Sequence, residues 1–548
     1  MKRIVIIILI IGIAFLGILY FSKSKNGKIV QGEGFEAAAG GLLQEISAHA
    51  ASNDVDILVD EKSLMNFDYS VHIDDSLNVY GDERFLEDIM GCSVIVYKNG
   101  SAVVERGEEK FAFPSNELIS AEDHVYIPLT DYARRLGYDM EYIFSRNAVD
   151  FHNIDGGKFL PKVYDMRDDG RVTPVRDQGK LGTCWAFASL GALETVTMPQ
   201  EENVYSVDHM SMNNGFSLDL SEGGEHTMAI AYLAAWKGPV MEDQDPYGDG
   251  ETRTGLRAQK HLEEAIILDD HDDEKIKTAI WKYGGVETSI YMEMTYGEET
   301  SKYYNTDTAS YYYDGDSQPN HDLIIVGWDD TYPKERFTIH PSKDGAYICK
   351  NSWGTEFGDK GYIYISYEDA NICNQAIVYS KVADDDNYEN IYQTDLLGWV
   401  GQIGYGEEKS YFANVYTAKS DELLKAVSFY ATGPDTKFSV YIVDEFTDKK
   451  SLLDRKLIGK GETRYAGYYT VNLDRQIELS KGQKFAVVVY IETPGTEKPI
   501  AIECDGGERT KDLDLTDGEG YISLWGEVWY RAEENDCNVC LKVFTDDK

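Results

Sequence analysis

Gln178 stands six residues before Cys184, and Cys184 opens the uncharged stretch Cys184-Trp185-Ala186-Phe187-Ala188, which reads as the first turns of a buried helix. A thiol at a helix N-terminus faces unpaired backbone N–H groups and the positive end of the helix dipole, and both favour the thiolate. The Gln178 side chain can present N–H donors to an oxyanion forming beside the sulfur. The fold must therefore bring a proton acceptor to this helix from elsewhere in the chain, and the segment points to acyl-transfer chemistry.

That partner is expected far along the chain. His321 lies in Asn320-His321-Asp322-Leu323-Ile324-Ile325-Val326-Gly327-Trp328, where a polar turn feeds an aliphatic run that reads as a buried strand. Lys350-Asn351-Ser352-Trp353-Gly354 follows, with the strand-like Gly361-Tyr362-Ile363-Tyr364-Ile365 behind it. The Asn351 carbonyl can accept one imidazole N–H and fix the tautomer, so that the other ring nitrogen faces the thiol, while Trp353 shields that bond from water. Taken singly, a cysteine is usually a small buried hydrophobe, and a histidine or an Asn-Ser turn is usually structural. Their ordered conjunction favours catalysis. Other histidines are poorer bases: His340 precedes Pro341 close to Asn351, and His261 and His271 fall in charged, helix-like stretches.

These residues resemble the papain-like cysteine peptidases over roughly residues 160–380, beginning with Leu160-Pro161, Tyr164-Asp165-Met166-Arg167 and Val172-Thr173-Pro174-Val175. The 137 residues from Cys184 to His321 fall inside that family's window of about 130–150. The resemblance implies an α+β fold, a two-lobed peptidase with a helical lobe and a β-barrel-like lobe. It makes Cys184 the nucleophile, His321 the general base and then acid, Asn351 the orienter, and Gln178 with the Cys184 N–H the oxyanion hole. Trp185 and Trp353 support the site. Gly223 and Gly224, in Ser221-Glu222-Gly223-Gly224, resemble the family's glycine pair that hydrogen-bonds extended substrate backbone, although a plain turn accounts for them equally well. The chain departs from the family at Leu181, where a half-cystine is usual, and no cysteine lies between Cys184 and Cys349, so packing must hold the loop. No long helical inhibitory segment precedes Leu160.

Ile4 through Phe21 is an eighteen-residue run without charge behind Lys2 and Arg3, long enough to cross a hydrocarbon core of about 30 Å. No small-x-small cleavage pattern follows it, so a retained signal anchor is favoured over a cleaved signal peptide, and the remainder is exported either way. A net charge of −44 repels phosphate backbones and excludes nucleic acid as a partner. The same carboxylates can collect structural calcium, although solubility accounts for them as well. The chemistry requires no cofactor. Apart from Cys184, the cysteines at 92, 349, 373, 504, 537 and 540 form no dense framework and are read as buried thiols, with no metal ligated by them.

The expected organisation is an anchor or signal peptide over 1–25, a tether over 26–54, a β-rich module over 55–156, the peptidase over 160–382 and a β-sandwich over 388–548. In the module, Cys92–Tyr97 and Ala102–Val104 flank the turn Lys98-Asn99-Gly100 as a hairpin, and His124–Met140 reads as a strand entering a short helix that stops at Gly137. It resembles the N-terminal module first named from copper amine oxidases, without copper ligands. Beyond Ala383-Asp384-Asp385-Asp386-Asn387, alternating runs such as Phe438–Val443 and Phe485–Tyr490 argue a sandwich. With the entry Asn390–Asp395, it resembles the lectin-like domain that follows papain-type peptidases in some clostridial-type surface proteins, including surface-layer-processing proteases. The stretch Gly156-Gly157-Lys158 is an accessible place for an activating cut.

The partners this implies are a protein or peptide substrate at the cell surface, a cell-wall polysaccharide or other glycan, and the membrane through the N-terminal segment. Two other function classes use the same residues. One is a surface adhesin or carbohydrate-binding protein with a degenerate peptidase domain; the other is a cysteine transpeptidase or amidase acting on cell-wall peptides.

Overall fold

A computed structural model describes residues 55–548, except 60–61, 65–68, 75–77, 107–108, 122–123, 131, 137, 144–147, 154–159 and 299. The apolar run 4–21, the tether 26–54, Gly137 and the stretch 156–158 lie outside the described residues. The chain divides after Pro161 into two units.

In the first unit, Ser93–Val96 and Ala102–Arg106 pair antiparallel with Val96 opposite Ala102, forming the expected hairpin, and Glu109–Phe113 adds a third strand. Alternation sets the buried face, with Ala102, Val104, Phe111 and Phe113 inside, while Ile95 and Val96 are both exposed. Asp56–Val59 pairs parallel with Ala148–Asn153 and buries Ile57, Leu58, Val59 and Phe151. Helical content is small. The fully buried Asp82 accepts the Phe85 N–H at 2.6 Å and starts a π-helical turn at Phe85–Ile89, and the expected short helix is a single 3-10 turn, Ala133–Leu136.

In the second unit, the helix Cys184–Thr197 is buried on every side from Trp185 to Thr195, as its uncharged opening predicts. It packs so closely on the His321–Asp329 strand that a Cβ at Gly191 would lie 2.4 Å from Ile324 Cδ1. Val207–Asn213 and His226–Ala234 complete the helical side. The sheet beneath runs, by neighbouring strands, through Tyr362–Ser366, Ala346–Lys350, His321–Asp329, Val286–Ile290, Ala376–Asp384 and Lys260–Leu268.

The sheet does not stop at Lys260–Leu268. Lys260–Leu268 pairs antiparallel with Ala466–Leu479, and the order continues through Glu422–Ala431 and Leu541–Asp547 to Asn390–Tyr392. Gly467 makes the crossing possible: its φ is +146°, and a Cβ there would sit 2.0 Å from the Ala265 carbonyl oxygen. A second sheet of the C-terminal region carries Thr436–Val443, Lys484–Glu492 and Lys409–Thr417, and a core including Phe429, Phe438, Val440, Phe485 and Val543 fills the space between the two sheets. His261 lies in a strand, not in the helix-like stretch its charged neighbours suggest, and it stacks on Trp236 at 3.8 Å. The flanking charges are absorbed by ion pairs between Lys260 and Asp384 and between Lys381 and Glu263. Among the described residues, no helix is long and apolar enough to cross a membrane.

Candidate active site

Cys184 is the first residue of its helix, and Thr183 precedes it without capping the helix through its side chain. The Thr183 hydroxyl instead shares a hydrogen bond with Tyr247, whose own hydroxyl donates to the Gln178 carbonyl at 2.8 Å. First-turn N–H groups are thereby left for the sulfur. Backbone N–H groups of Cys184, Trp185 and Asp322 point at it and favour the thiolate, but burial and the Asp322 carboxylate outweigh them and push the thiol up to about 12.

His321 begins the aliphatic strand and donates from Nε2 to Asn351 Oδ1 at 2.7 Å. That bond fixes the tautomer and leaves Nδ1 as the acceptor. Asn351 Oδ1 also accepts the Ser352 N–H at 2.8 Å, so the amide is held from two sides. Trp353, largely buried, lies 4.8 Å from the imidazole, ring centre to ring centre, and Phe357 packs behind it. Burial lowers the imidazole pKa to about 4, opposed by the bond to Asn351.

Gln178 Nε2 donates to the Leu181 carbonyl at 2.8 Å, and its Oε1 accepts from Ser352 Oγ at 2.7 Å. One amide N–H therefore remains for an oxyanion. The loop that lacks the familiar half-cystine is held by this bond and by Gly182 N–H donating to the Leu220 carbonyl at 2.8 Å. All seven cysteines are free thiols. The glycine pair sits against the same loop. A Cβ on Gly224 would meet the Trp185 indole at 2.4 Å, and Gly182 comes so close that its own Cβ would lie 2.8 Å from the Gly223 nitrogen. The structure thus brings Gln178, Cys184, Trp185, Gly223 and Gly224 together on one side, and His321, Asn351 and Trp353 on the other. The two sides meet at Asp322, which follows His321 and accepts from Cys184 Sγ at 3.9 Å.

Several supporting groups escaped the sequence reading. Ser352 aims the Gln178 amide. Glu194, fully buried in the Cys184 helix, accepts from Thr173 Oγ1 at 2.5 Å and pairs with Arg176 at 3.3 Å, while Lys350, next to Asn351, donates to Thr173 at 2.9 Å. This chain of bonds ties the Asn351 strand to the nucleophile helix. Glu287 accepts from Ser189 and Tyr379 at 2.9 and 3.0 Å, and burial raises its pKa to about 8. A buried Glu inside Val286–Ile290 carries no local signal. Among the described residues, no group of three His, Cys, Asp or Glu side chains is placed to hold a metal ion.

Comparison with known proteins matches residues 160–382 to the papain family cysteine protease model and residues 391–545 to the lectin like domain model. Cathepsin K of Gallus gallus is 33% identical over 239 residues, covering 40% of this chain and 64%, under two thirds, of that protein. The structure of the clostridial cysteine protease Cwp84 after propeptide cleavage is similar with a TM-score of 0.63 and 28% identity, covering 70% of this chain and 99% of that one. The cysteine protease and lectin-like domains of Cwp84, a surface layer associated protein of Clostridium difficile, align with a TM-score of 0.62 and 27% identity over 72% of this chain and 90% of theirs. Residues 160–382 are thus similar to the papain family of cysteine proteases, and residues 391–545 to a lectin-like domain.

Proposed function

We propose that the protein is an exported cell-surface cysteine endopeptidase in which Cys184 attacks a peptide carbonyl. The observation that carries this reading is the 2.7 Å bond from His321 to Asn351, in the strand whose next residue touches the Cys184 sulfur at the start of its helix. Burial disfavours a lone thiolate and a lone imidazolium alike, so the two charges form together as the thiol proton moves to His321 Nδ1 and each stabilises the other. The sulfur adds to the carbonyl carbon, and Gln178 and the Cys184 N–H hold the oxyanion. His321 then protonates the leaving amine, and water activated by the same imidazole releases the acyl group. Gly223 and Gly224 present backbone to an extended substrate. No cofactor takes part.

The working division is an anchor or signal peptide over 1–25, a tether to 54, an upstream module to 156, the peptidase over 160–382 and a lectin-like sandwich over 388–548 that engages a glycan. The surface-layer association of Cwp84 supports placement at the cell surface, with the apolar run 4–21 as anchor. The break between the two units at Pro161, together with the propeptide cleavage of Cwp84, supports activation by a cut just upstream. The test is proteolysis of an unfolded protein substrate by the parent and Cys184→Ala. New peptide termini made by the parent and absent with the variant are expected; equal rates overturn the assignment. Released muropeptides or new amide linkages would instead favour the amidase or transpeptidase reading.

A further inference from the structure

Cys504 and Cys537 stand directly opposite each other on neighbouring strands. Ile500–Cys504 pairs antiparallel with Cys537–Val539, with Ile502 opposite Val539 and Glu503 opposite Asn538. The parity of this ladder fixes how close the two cysteines come. The Cys540 N–H donates to the Ala501 carbonyl at 3.1 Å, which makes Ala501 and Cys540 a hydrogen-bonded pair. Such pairs alternate with non-hydrogen-bonded ones, so Cys504 and Cys537 fall on a non-hydrogen-bonded step, where opposing Cα atoms lie about 4.5 Å apart. A disulfide takes a Cα separation of about 4.4–6.8 Å.

Opposed residues share one face of a sheet, and here that face is the core: Cys537 is fully buried, and Cys504 packs against the same cluster. Both are free thiols in this structure. The Cys537 Sγ turns to the Ala532 carbonyl at 3.3 Å, and the Cys504 Sγ lies 2.7 Å from where a Cβ on Gly401 would stand. Rotation of the two side chains is enough to join them, because the backbone spacing already fits. Cys504 is only half-buried and can meet a dissolved reagent. Cys349 and Cys373 are both fully buried, and the strands beside Cys349 place Ile325 and Ile363 opposite it.

We propose that Cys504 and Cys537 are a cross-strand disulfide site, closed outside the cell by exchange with a small-molecule or protein disulfide. The Cys504 thiolate attacks the external disulfide, forming a mixed disulfide and releasing one thiol. Cys537 then gives up its proton, attacks the Cys504 sulfur and expels the second thiol. Two thiols of the chain are oxidised, one external disulfide is reduced to two thiols, and the two protons end on those. Burial pushes both cysteines up, Cys537 to about 12, so the first attack falls to the more exposed sulfur. The crosslink matters for what hangs from it. Arg509, five residues beyond Cys504, pairs at 2.6 Å with Glu225, which follows Gly224, and its carbonyl accepts the Ser217 N–H at 2.9 Å. The bond therefore pins the base of the arm by which the sandwich reaches the glycine-pair loop.

From the proposed function this site takes only the placement outside the cell, where disulfides persist. The full chain carrying Cys184→Ala, which removes the competing thiol, is reduced, freed of reductant and incubated with oxidised glutathione. Its mass and its alkylated, non-reduced digest are then read. A loss of about 2 Da and a peptide linking Cys504 to Cys537 are expected, both abolished by Cys504→Ser. The oxidised form should unfold about 4–10 °C above the reduced form, a difference absent in Cys504→Ser. Two thiols that remain alkylatable overturn the site, as does glutathione retained on Cys504 without transfer to Cys537. An unchanged unfolding temperature overturns the anchoring of the arm. If Cys504→Ser does not fold, the linked peptide from the Cys184→Ala chain decides. Protein recovered from cells with both thiols reduced, yet closing the bond in glutathione, overturns the placement outside the cell and not the site. Cleavage of peptides enters none of these readouts, so failure of the peptidase reading is seen separately.

Discussion

Gly223 and Gly224 are neighbours whose replacement by alanine should fail for different reasons. At Gly224 the obstacle is steric: the new methyl would lie 2.4 Å from Trp185 Cε2 and 2.5 Å from Nε1, where carbon contacts normally begin near 3.5 Å. The indole, 2% exposed, must retreat by about 1 Å into a packed interior, an overpacking that costs roughly 1–3 kcal/mol. At Gly223 a methyl meets nothing nearer than 3.9 Å, but φ is +83°, and a side chain in that region costs roughly 1–2 kcal/mol. Trp185→Leu separates the two causes because it removes the atoms Gly224→Ala would strike. Thermal unfolding of the full chain is the assay, with about 2–4 °C expected for each kcal/mol in a domain of this size. In the Trp185→Leu background, Gly224→Ala should lose most of its cost while Gly223→Ala keeps all of its own. Because Trp185 adjoins Cys184, Gly224→Ala should also change the alkylation rate of the thiol. Equal costs for Gly224→Ala in the two backgrounds would refute the reasoning.

Asn351→Ala should lower kcat/KM by about 10- to 100-fold, the loss of one hydrogen bond that fixes the imidazole, measured on a peptide the parent cleaves. Glu287 has its folded pKa raised to about 8, so its contribution to stability is full below about pH 4.5 and is lost as pH rises through 8. Glu287→Gln keeps an acceptor for Ser189 and Tyr379 and should flatten that decline, seen as a smaller difference in denaturation midpoint between pH 5 and pH 8; an unchanged difference would exclude Glu287 as its source. A protease site inserted after Asp386 and cut should leave the peptidase and the sandwich co-eluting, since Lys260–Leu268 still pairs with Ala466–Leu479. Gly467→Ala, with its methyl 2.0 Å from the Ala265 carbonyl, should let the cut pieces separate on the same column.

The parts of the site that were legible in the chain are those with local chemistry: an amide, a thiol at an apolar helix start, and a histidine and an asparagine at strand ends. Short-range alternation likewise carried the hairpin at residues 93–106 and the sandwich strands. What escaped depends on the far side of each contact. Lys260-His261-Leu262-Glu263-Glu264 reads as a charged helix because its spacing fits one. It is a strand because Asp384, Lys381 and Ser380 meet those side chains across the ladder. Glu194 and Glu287 carry no local signal of burial, their partners being distant in sequence. Asp322 was visible as a charge at the head of an aliphatic run, but its meaning required knowing where the sulfur points.

The pairing of Ala265 with Tyr468 and of Ile266 with Gly467 makes the C-terminal region a continuation of the catalytic sheet, with only two strands between the Lys260–Leu268 ladder and the one that begins at His321. A lever welded in this way has no hinge. Under the proposed function, a polymer held by the sandwich is presented to the thiol at one distance and one angle, and cleavage falls at a set reach from that handhold.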